Sequence, residues 1–88
     1  MIEIKEAHPL ENYRLHLRFE DGTEGTLDLS HLAGEGVFAF WNDYNNFKKV
    51  YIDEVSGAIA WNEDIDIDPL AAYLEIRGMT FEQLQVPA

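Results

Sequence analysis

Three aspartates alternate with isoleucines near the end of the chain, at Asp64, Asp66 and Asp68. Oxygen ligands at positions one, three and five and a glutamate at position twelve form the pattern of a calcium-binding EF-hand loop, and Glu75 falls twelfth. The sixth position of such a loop requires glycine, and Pro69 cannot adopt the positive φ of that bend. The alternative is a strand whose isoleucines face inward and whose aspartates face water. The sequence favours the strand and leaves a weak divalent-ion site at the three aspartates as the second reading.

Other residues with catalytic or metal-binding chemistry are scattered along the chain. His8, His16 and His31 lie on three different segments and lack the short spacings of a zinc site. Ser30 is next to a histidine in sequence, which does not imply hydrogen-bond reach. The glycine pair of segment 34–36 lacks the third glycine and the lysine of a phosphate-binding loop. We therefore predict no catalytic residue, no metal centre and no cofactor, and expect that the protein is not an enzyme.

The charge balance narrows the possible partners. The chain has 6 Lys and Arg against 17 Asp and Glu, a formal net charge of −11. Segment 50–76 contains seven acidic residues and no basic one, whereas Arg14, His16 and Arg18 form the one short basic strip. Because nucleic-acid binding depends on Lys and Arg contacting phosphates, we expect no direct nucleic-acid partner. The acidic segment either keeps the protein soluble or attracts a basic protein.

Composition and length predict a single domain over residues 1–88. The chain is 47% hydrophobic and 12% aromatic, as in globular proteins, and has no cysteine. It has no apolar run long enough to span a membrane and no basic, apolar leader. These features predict a cytoplasmic protein without a membrane partner; a homodimer is possible.

The first half of the chain has the alternation of antiparallel strands. A strand is predicted over residues 2–7, with Pro9 at its end, and a second over residues 13–19. A three-residue loop ending at Gly22 pairs Phe19 with Thr23 and keeps the apolar side chains on one face, since glycine adopts the left-handed conformation that such loops need. The same register pairs two further sets of residues: Leu17 with Gly25, and Leu15 with Leu27.

The second half predicts another hairpin and two helices. Pairing Ile52 with Ile59 also pairs Val50 with Trp61, so both pairs share one face. An i, i+3, i+4, i+7 apolar pattern predicts a helix over residues 37–44, whose stripe is Val37, Phe40, Trp41 and Tyr44. Asp68 and Pro69 are a favourable N-cap and first residue of a helix over 69–77. The buried stripe of this helix is predicted to comprise Leu70, Tyr73 and Leu74. A capping box at residues 80–83 predicts one further turn.

Several of these elements together resemble a small bacterial family, the domain of unknown function 2442. The resemblance covers about residues 1–75 and rests on short motifs: Leu15-x-Leu-x-Phe-x-Asp-Gly22, Asp28-Leu-Ser30, Gly36-Val-Phe38, Asp43, Phe47-x-x-Val-x-Ile-Asp53, Gly57-x-Ile-x-Trp61 and Asp66-Ile-Asp-Pro69. Family members often have Trp-Pro-Asn-Gly before the Asp-rich segment, whereas this chain has Trp61-Asn-Glu-Asp64.

The resemblance implies a compact α+β domain whose gene stands beside that of a second small protein, as in toxin–antitoxin-like pairs. It transfers no catalytic residue. Some relatives carry a helix-turn-helix domain after this one, and because this chain stops at Ala88 we expect no DNA-binding role from that source.

We therefore predict an α+β fold: a small antiparallel sheet of two β-hairpins plus an N-terminal strand, with two or three short helices packed on one face. Trp61, Phe19, Gly22, Asp68 and Pro69 are its predicted structural residues. The predicted function is a non-catalytic acidic protein–protein interaction module, the partner or antitoxin-like member of a two-gene unit, with a basic protein as partner. Its predicted contact residues are Asp53, Glu54, Glu63, Asp64 and Asp66. The alternative function is small-ligand or divalent-ion binding by the acidic segment 62–68.

Overall fold

A computed structural model describes residues 2–78, which form two three-stranded antiparallel sheets and several short helices. In chain order, the elements are β1 (Ile4–Leu10), β2 (Arg14–Phe19), β3 (Glu24–Asp28), a 3₁₀ helix (Gly36–Asn42), α1 (Tyr44–Phe47), β4 (Tyr51–Ile52), β5 (Ile59–Asn62), β6 (Ile65–Ile67) and α2 (Pro69–Arg77). The predicted α+β class and the antiparallel hairpins are confirmed. The turn predicted at residues 80–83 lies outside the described residues.

The two hairpins belong to two sheets, whereas one sheet was expected. The strand order is β1-β2-β3 in the first sheet and β4-β5-β6 in the second. β5 is the central strand of the second sheet, and its residues Ile59, Ala60 and Trp61 are all buried. The alternating segment Ile65–Ile67 supplies the strand on its second side, with Ile65 buried and Asp66 exposed.

The β2–β3 hairpin has the predicted three-residue register. Leu15 pairs with Leu27, Leu17 pairs with Gly25, and the amide of Phe19 donates to the carbonyl of Thr23. Gly22 has a φ of 90°, as the loop requires.

β1 is longer than the sequence predicts, because Pro9 lies within it. Pro9 is paired with Leu15, and β1 continues to Leu10. Proline cannot donate a hydrogen bond to a neighbouring strand and is therefore found mainly in edge strands, and β1 is an edge strand of its sheet. Tyr13 does not belong to the second strand: it lies in the β1–β2 turn with a φ of 58°.

The aromatic segment predicted as one helix is a 3₁₀ helix followed by α1. The break falls at Asp43, whose extended backbone ends the 3₁₀ helix and whose side chain accepts from the amide of Asn45 to start α1. Trp41 and Phe47 are fully buried, whereas Val37, expected in the core, is 57% exposed. A 3₁₀ helix has three residues per turn, so a stripe spaced for an α-helix does not stay on one face.

α2 has the predicted ends but a different buried face. Asp68 accepts from the amide of Leu70, Pro69 occupies the first turn, and Gly78 ends the helix with a φ of 63°. The buried residues are Ala72 and Tyr73, with Ile76 packed against the core, whereas Leu70 and Leu74 of the predicted stripe are half-buried.

The helix lies against β3, where Ile76 faces Gly25. A Cβ atom at Gly25 would stand 2.4 Å from Cγ2 of Ile76. Glycine is therefore required here by the approach of α2. That all the helices pack on one face stays a prediction.

Residues from both sheets and from the helices form one buried cluster. Trp61 is 4% exposed, and its indole nitrogen donates to the carbonyl of Phe47 over 2.8 Å. Its ring packs on Trp41, with centroids 4.7 Å apart. Trp61, predicted as a structural residue, is thus buried within this aromatic group. Among the described residues, Trp41 Nε1 is the buried side-chain nitrogen without a hydrogen-bond partner; the perpendicular ring of Phe47 lies beside the Trp41 ring.

Candidate functional site

The β4–β5 turn presents an apolar side chain on a turn that is fixed by hydrogen bonds. Oδ1 of Asp53 accepts from the amides of Val55 (2.8 Å) and Ser56 (3.0 Å), and the Asp53 amide donates to the carbonyl of Ala58. At the tip of this turn, Val55 is 98% exposed. A single exposed apolar side chain is common on protein surfaces, so Val55 indicates a contact surface only together with the hollow beside this turn.

The bonds that fix this turn also set the charge of Asp53. The amide of Ser56, followed by that of Val55, lowers the pKa of the Asp53 carboxyl below its ordinary value. Asp53 is therefore a carboxylate at neutral pH, and one of its oxygens is already used within the turn. Its role is to hold the turn as well as to add charge.

A hollow of about 280 Å³ lies beside this turn. Three isoleucines line it, Ile2, Ile4 and Ile52, together with Asp53, Glu54, Val55 and the acidic residue Glu3; Ser56 and Gly57 complete the lining. Ile4 belongs to β1, Ile2 precedes that strand, and Ile52 belongs to β4. β1 and β4 are in contact where the two sheets meet. The hollow thus combines an apolar lining with carboxylates.

The other predicted acidic residues lie further along the second sheet. Oδ1 of Asn62 accepts from the amides of Asp64 and Ile65 and so fixes the β5–β6 turn, where Glu63 and Asp64 are exposed. Asp66 is exposed in the middle of β6, paired with Ala60.

The structure separates the predicted contact residues into two groups. Asp53 and Glu54 precede β5, whereas Glu63 and Asp64 follow it, so the groups are roughly one strand length apart, about 13 Å for four residues. Within residues 2–78, the carboxylates of Glu54, Glu63, Asp64 and Asp66 form no hydrogen bond or ion pair.

The three aspartates of the alternative ion site do not form a ligand cluster. Asp68 uses its side chain as the N-cap of α2, accepting from the amide of Leu70 over 3.3 Å. In the described part of the chain, no three His, Cys, Asp or Glu side chains are already arranged to hold a metal ion.

Sequence reasoning missed two features of this surface. It did not identify Val55, although an apolar residue inside an Asp-x-x-Ser-Gly turn is a signal that could have been used. It also could not place Ile2 and Ile4 beside the second hairpin, because no local pattern reports where two sheets meet.

A second groove, of about 210 Å³, lies between β3, the turn that follows it and α2. Its walls are mainly leucine, isoleucine and alanine, and Asp28, His31 and Glu75 stand among them. Asp28 is engaged by Ser30: the hydroxyl and then the amide of Ser30 lower the pKa of the Asp28 carboxyl. The amide contact is 2.9 Å long. No catalytic pairing of these residues is observed within residues 2–78.

The described helices include none that is both long and apolar enough to cross a membrane.

These features define a small α+β domain with an acidic second sheet. Residues 4–78 match the model of the family described as Protein of unknown function (DUF2442), and the chain belongs to that family. None of the curated proteins matches the sequence.

A solved structure is similar in fold: the crystal structure of a protein from Nitrosomonas europaea described as a putative DNA binding protein. The TM-score is 0.69 at 20% sequence identity, and the similarity covers 96% of this chain. This chain spans about half of that protein's length (52%), so the likeness concerns one part of it and shows the fold alone.

Proposed function

We propose that this domain is a non-catalytic protein-interaction module that binds a basic protein partner through the β4–β5 turn and the hollow beside it. The observation that carries the proposal is the hollow, whose lining combines three isoleucines with Glu3, Asp53 and Glu54. A Lys or Arg side chain has the complementary chemistry: an aliphatic stem that packs on apolar surface and a cationic head that pairs with carboxylates.

Val55 completes the contact surface. Protein interfaces combine a few apolar anchors with a polar rim, and anchors that lose most of their exposure contribute most. Val55, at 98% exposure, has nearly its whole surface to bury against a partner.

The more distant carboxylates act over a longer range. Glu63, Asp64 and Asp66 are exposed, and segment 50–76 contains no basic residue to neutralise them. The negative electrostatic potential of these carboxylates speeds association with a basic partner, and this effect weakens as salt is added.

DNA binding is the competing proposal, because of the description of the similar solved structure. The charges of the described residues favour the protein partner. Arg18 is paired with Glu6, and Nε of Arg14 donates to the carbonyl of Glu11, so part of the predicted basic strip is already engaged. A domain of net charge −11 has few cations with which to displace counterions from phosphates.

Family membership supplies the first candidate partner. The resemblance discussed above implies a second small protein encoded beside this one, and its product can be produced together with this chain. An antitoxin-like role would follow if this chain neutralises that product.

The test compares two variants that remove the same charge, one at the hollow and one at the β5–β6 turn. Glu3→Gln/Glu54→Gln alters the hollow, whereas Glu63→Gln/Asp64→Asn alters the β5–β6 turn. With the purified partner in surface plasmon resonance, we expect the first variant to lose about tenfold or more in affinity, about 1.4 kcal/mol, and the second chiefly to slow association. Equal losses in both variants, or tighter binding of duplex DNA than of any protein, would contradict the proposal.

A further inference from the structure

The outer face of the first sheet brings together two histidines that are distant in sequence. β1 and β2 pair so that His8 lies directly opposite His16. Facing residues of an antiparallel pair project from the same side, with Cβ atoms about 5 Å apart. Their side chains are 59% and 37% exposed, so both rings are open to solvent and free to change rotamer.

A carboxylate stands beside each ring. Nε2 of His8 lies 3.2 Å from Oε1 of Glu6, and Nε2 of His16 lies 3.1 Å from Oε1 of Glu24. Arg18 binds Oε2 of Glu6, so Oε1 remains beside His8. The hydrogen bond from His8, and then that from Arg18, lowers the pKa of the Glu6 carboxyl.

We infer that His8 and His16 form a two-histidine site for a borderline transition-metal ion such as Zn²⁺, with Glu6 or Glu24 as a third ligand and water as the fourth. Imidazole and carboxylate are common zinc ligands in tetrahedral sites, and two nitrogens on one zinc ion lie about 3.3 Å apart. That separation is reached when the two rings turn from their carboxylates toward each other.

The inference does not depend on the proposed partner surface, which lies on other residues. No three ligands are arranged around one point in the described rotamers. Ring rotation by these exposed side chains is fast, so the site is completed as the metal binds.

The third histidine provides a matched control. His31 follows β3 on another segment and is exposed without a facing histidine. His31→Asn therefore removes one imidazole without touching the pair, whereas His8→Asn/His16→Asn removes the pair and leaves the strands in place.

Isothermal titration of the untagged protein with ZnCl₂ tests the site, with MgCl₂ as the comparison ion. We expect one Zn²⁺ per chain, no Mg²⁺ binding, and a loss of affinity of about tenfold or more in His8→Asn/His16→Asn. His31→Asn and Asp64→Asn/Asp66→Asn should bind as the wild type does, and the imidazole NMR signals of His8 and His16 alone should shift.

Three results would overturn the inference: no saturable Zn²⁺ binding, undiminished binding in His8→Asn/His16→Asn, or a loss in either control variant. Thermal unfolding of each variant without metal shows whether its fold is intact. If His8→Asn/His16→Asn were unfolded, the single variants His8→Asn and His16→Asn would take its place, each with the same expected loss.

Discussion

Single residues in this domain combine packing with a polar contact, and Trp61 is the clearest case. It packs on Trp41 and Phe47 and donates to the carbonyl of Phe47. Trp61→Ala leaves a large cavity in the aromatic core and an unpaired carbonyl, and we expect a loss of about 3–5 kcal/mol in the free energy of unfolding, measured in urea. Trp61→Phe keeps most of the volume and should lose clearly less. A loss below about 1 kcal/mol in the alanine variant would show that Trp61 is not a core residue.

Asp21 makes the stability depend on pH. The hydroxyl of Tyr73 donates to Oδ2 of Asp21 over 2.6 Å, and this bond, followed by those from Thr23, lowers the pKa of the Asp21 carboxyl. A carboxyl whose pKa is lower in the folded state stabilises the fold above its unfolded pKa, near 3.9, and this contribution is lost as the pH falls through the folded value.

We therefore expect the melting temperature of the wild type to fall below about pH 5, and less steeply in Asp21→Asn. The asparagine amide still accepts from Tyr73 but does not titrate. Melting curves between pH 7 and pH 3 measure the difference. Equal slopes in the two proteins would assign the acid sensitivity to Glu6, Asp28 and Asp53, whose pKa values are also lowered.

At the scale of the elements, two glycines of the β2–β3 hairpin distinguish backbone strain from steric contact. Gly22 has a positive φ and open space around it, whereas Gly25 faces Ile76. We expect Gly22→Ala to destabilise by about 1–2 kcal/mol through strain. Gly25→Ala must displace the Ile76 side chain or α2 itself, and overpacking of this kind costs about 1–3 kcal/mol or more.

Truncation of Ile76 separates the two causes. In Gly25→Ala/Ile76→Ala the overlapping methyl group is gone, so the double variant should be more stable than the sum of the single losses predicts. Gly22→Ala/Ile76→Ala should be additive. Urea unfolding of both sets measures this, and additivity in both would show that the helix does not press on Gly25.

Some features of these elements could be predicted from the sequence and others could not. Alternation and a required glycine identify the β2–β3 register, and Asp68-Pro69 identifies the start of α2, because these signals lie within a few residues of what they determine. Tertiary contacts decide the rest. Val37 is exposed because the 3₁₀ helix breaks the expected spacing, and β5 is central because β6 pairs with its second edge.

The candidate site was predicted only in part for the same reason. A run of carboxylates is visible in the sequence, but the separation of Glu54 from Asp64 by the length of β5 is not. Nor could the opposition of His8 and His16 be predicted, since it depends on Pro9 lying within β1.

At the scale of the whole molecule, repulsion among the carboxylates opposes folding. Asp64 and Asp66 are exposed near each other and near Glu63, without a basic neighbour in segment 50–76. Asp64→Asn/Asp66→Asn should leave the melting temperature unchanged or slightly raised. The gain should be largest at about 0.01 M salt and vanish near 1 M, where the screening length is about 3 Å.

Glu6→Gln/Asp21→Asn is the charge-matched comparison. It also removes two negative charges, but both residues are hydrogen-bonded, so it should destabilise the protein at every salt concentration. A marked loss of stability in Asp64→Asn/Asp66→Asn would instead show that these carboxylates have a structural role.

The contact of Gly25 with Ile76 also affects how the molecule opens. A nine-residue helix is too short to persist alone in water, so α2 depends on the strand that it touches. If the helix and the hairpin unfold in one cooperative event, the amide hydrogens of α2 exchange with solvent at the rate set by global unfolding. The exchange protection of residues 72–77 would therefore report on the integrity of β2 and β3, some 50 residues earlier in the chain.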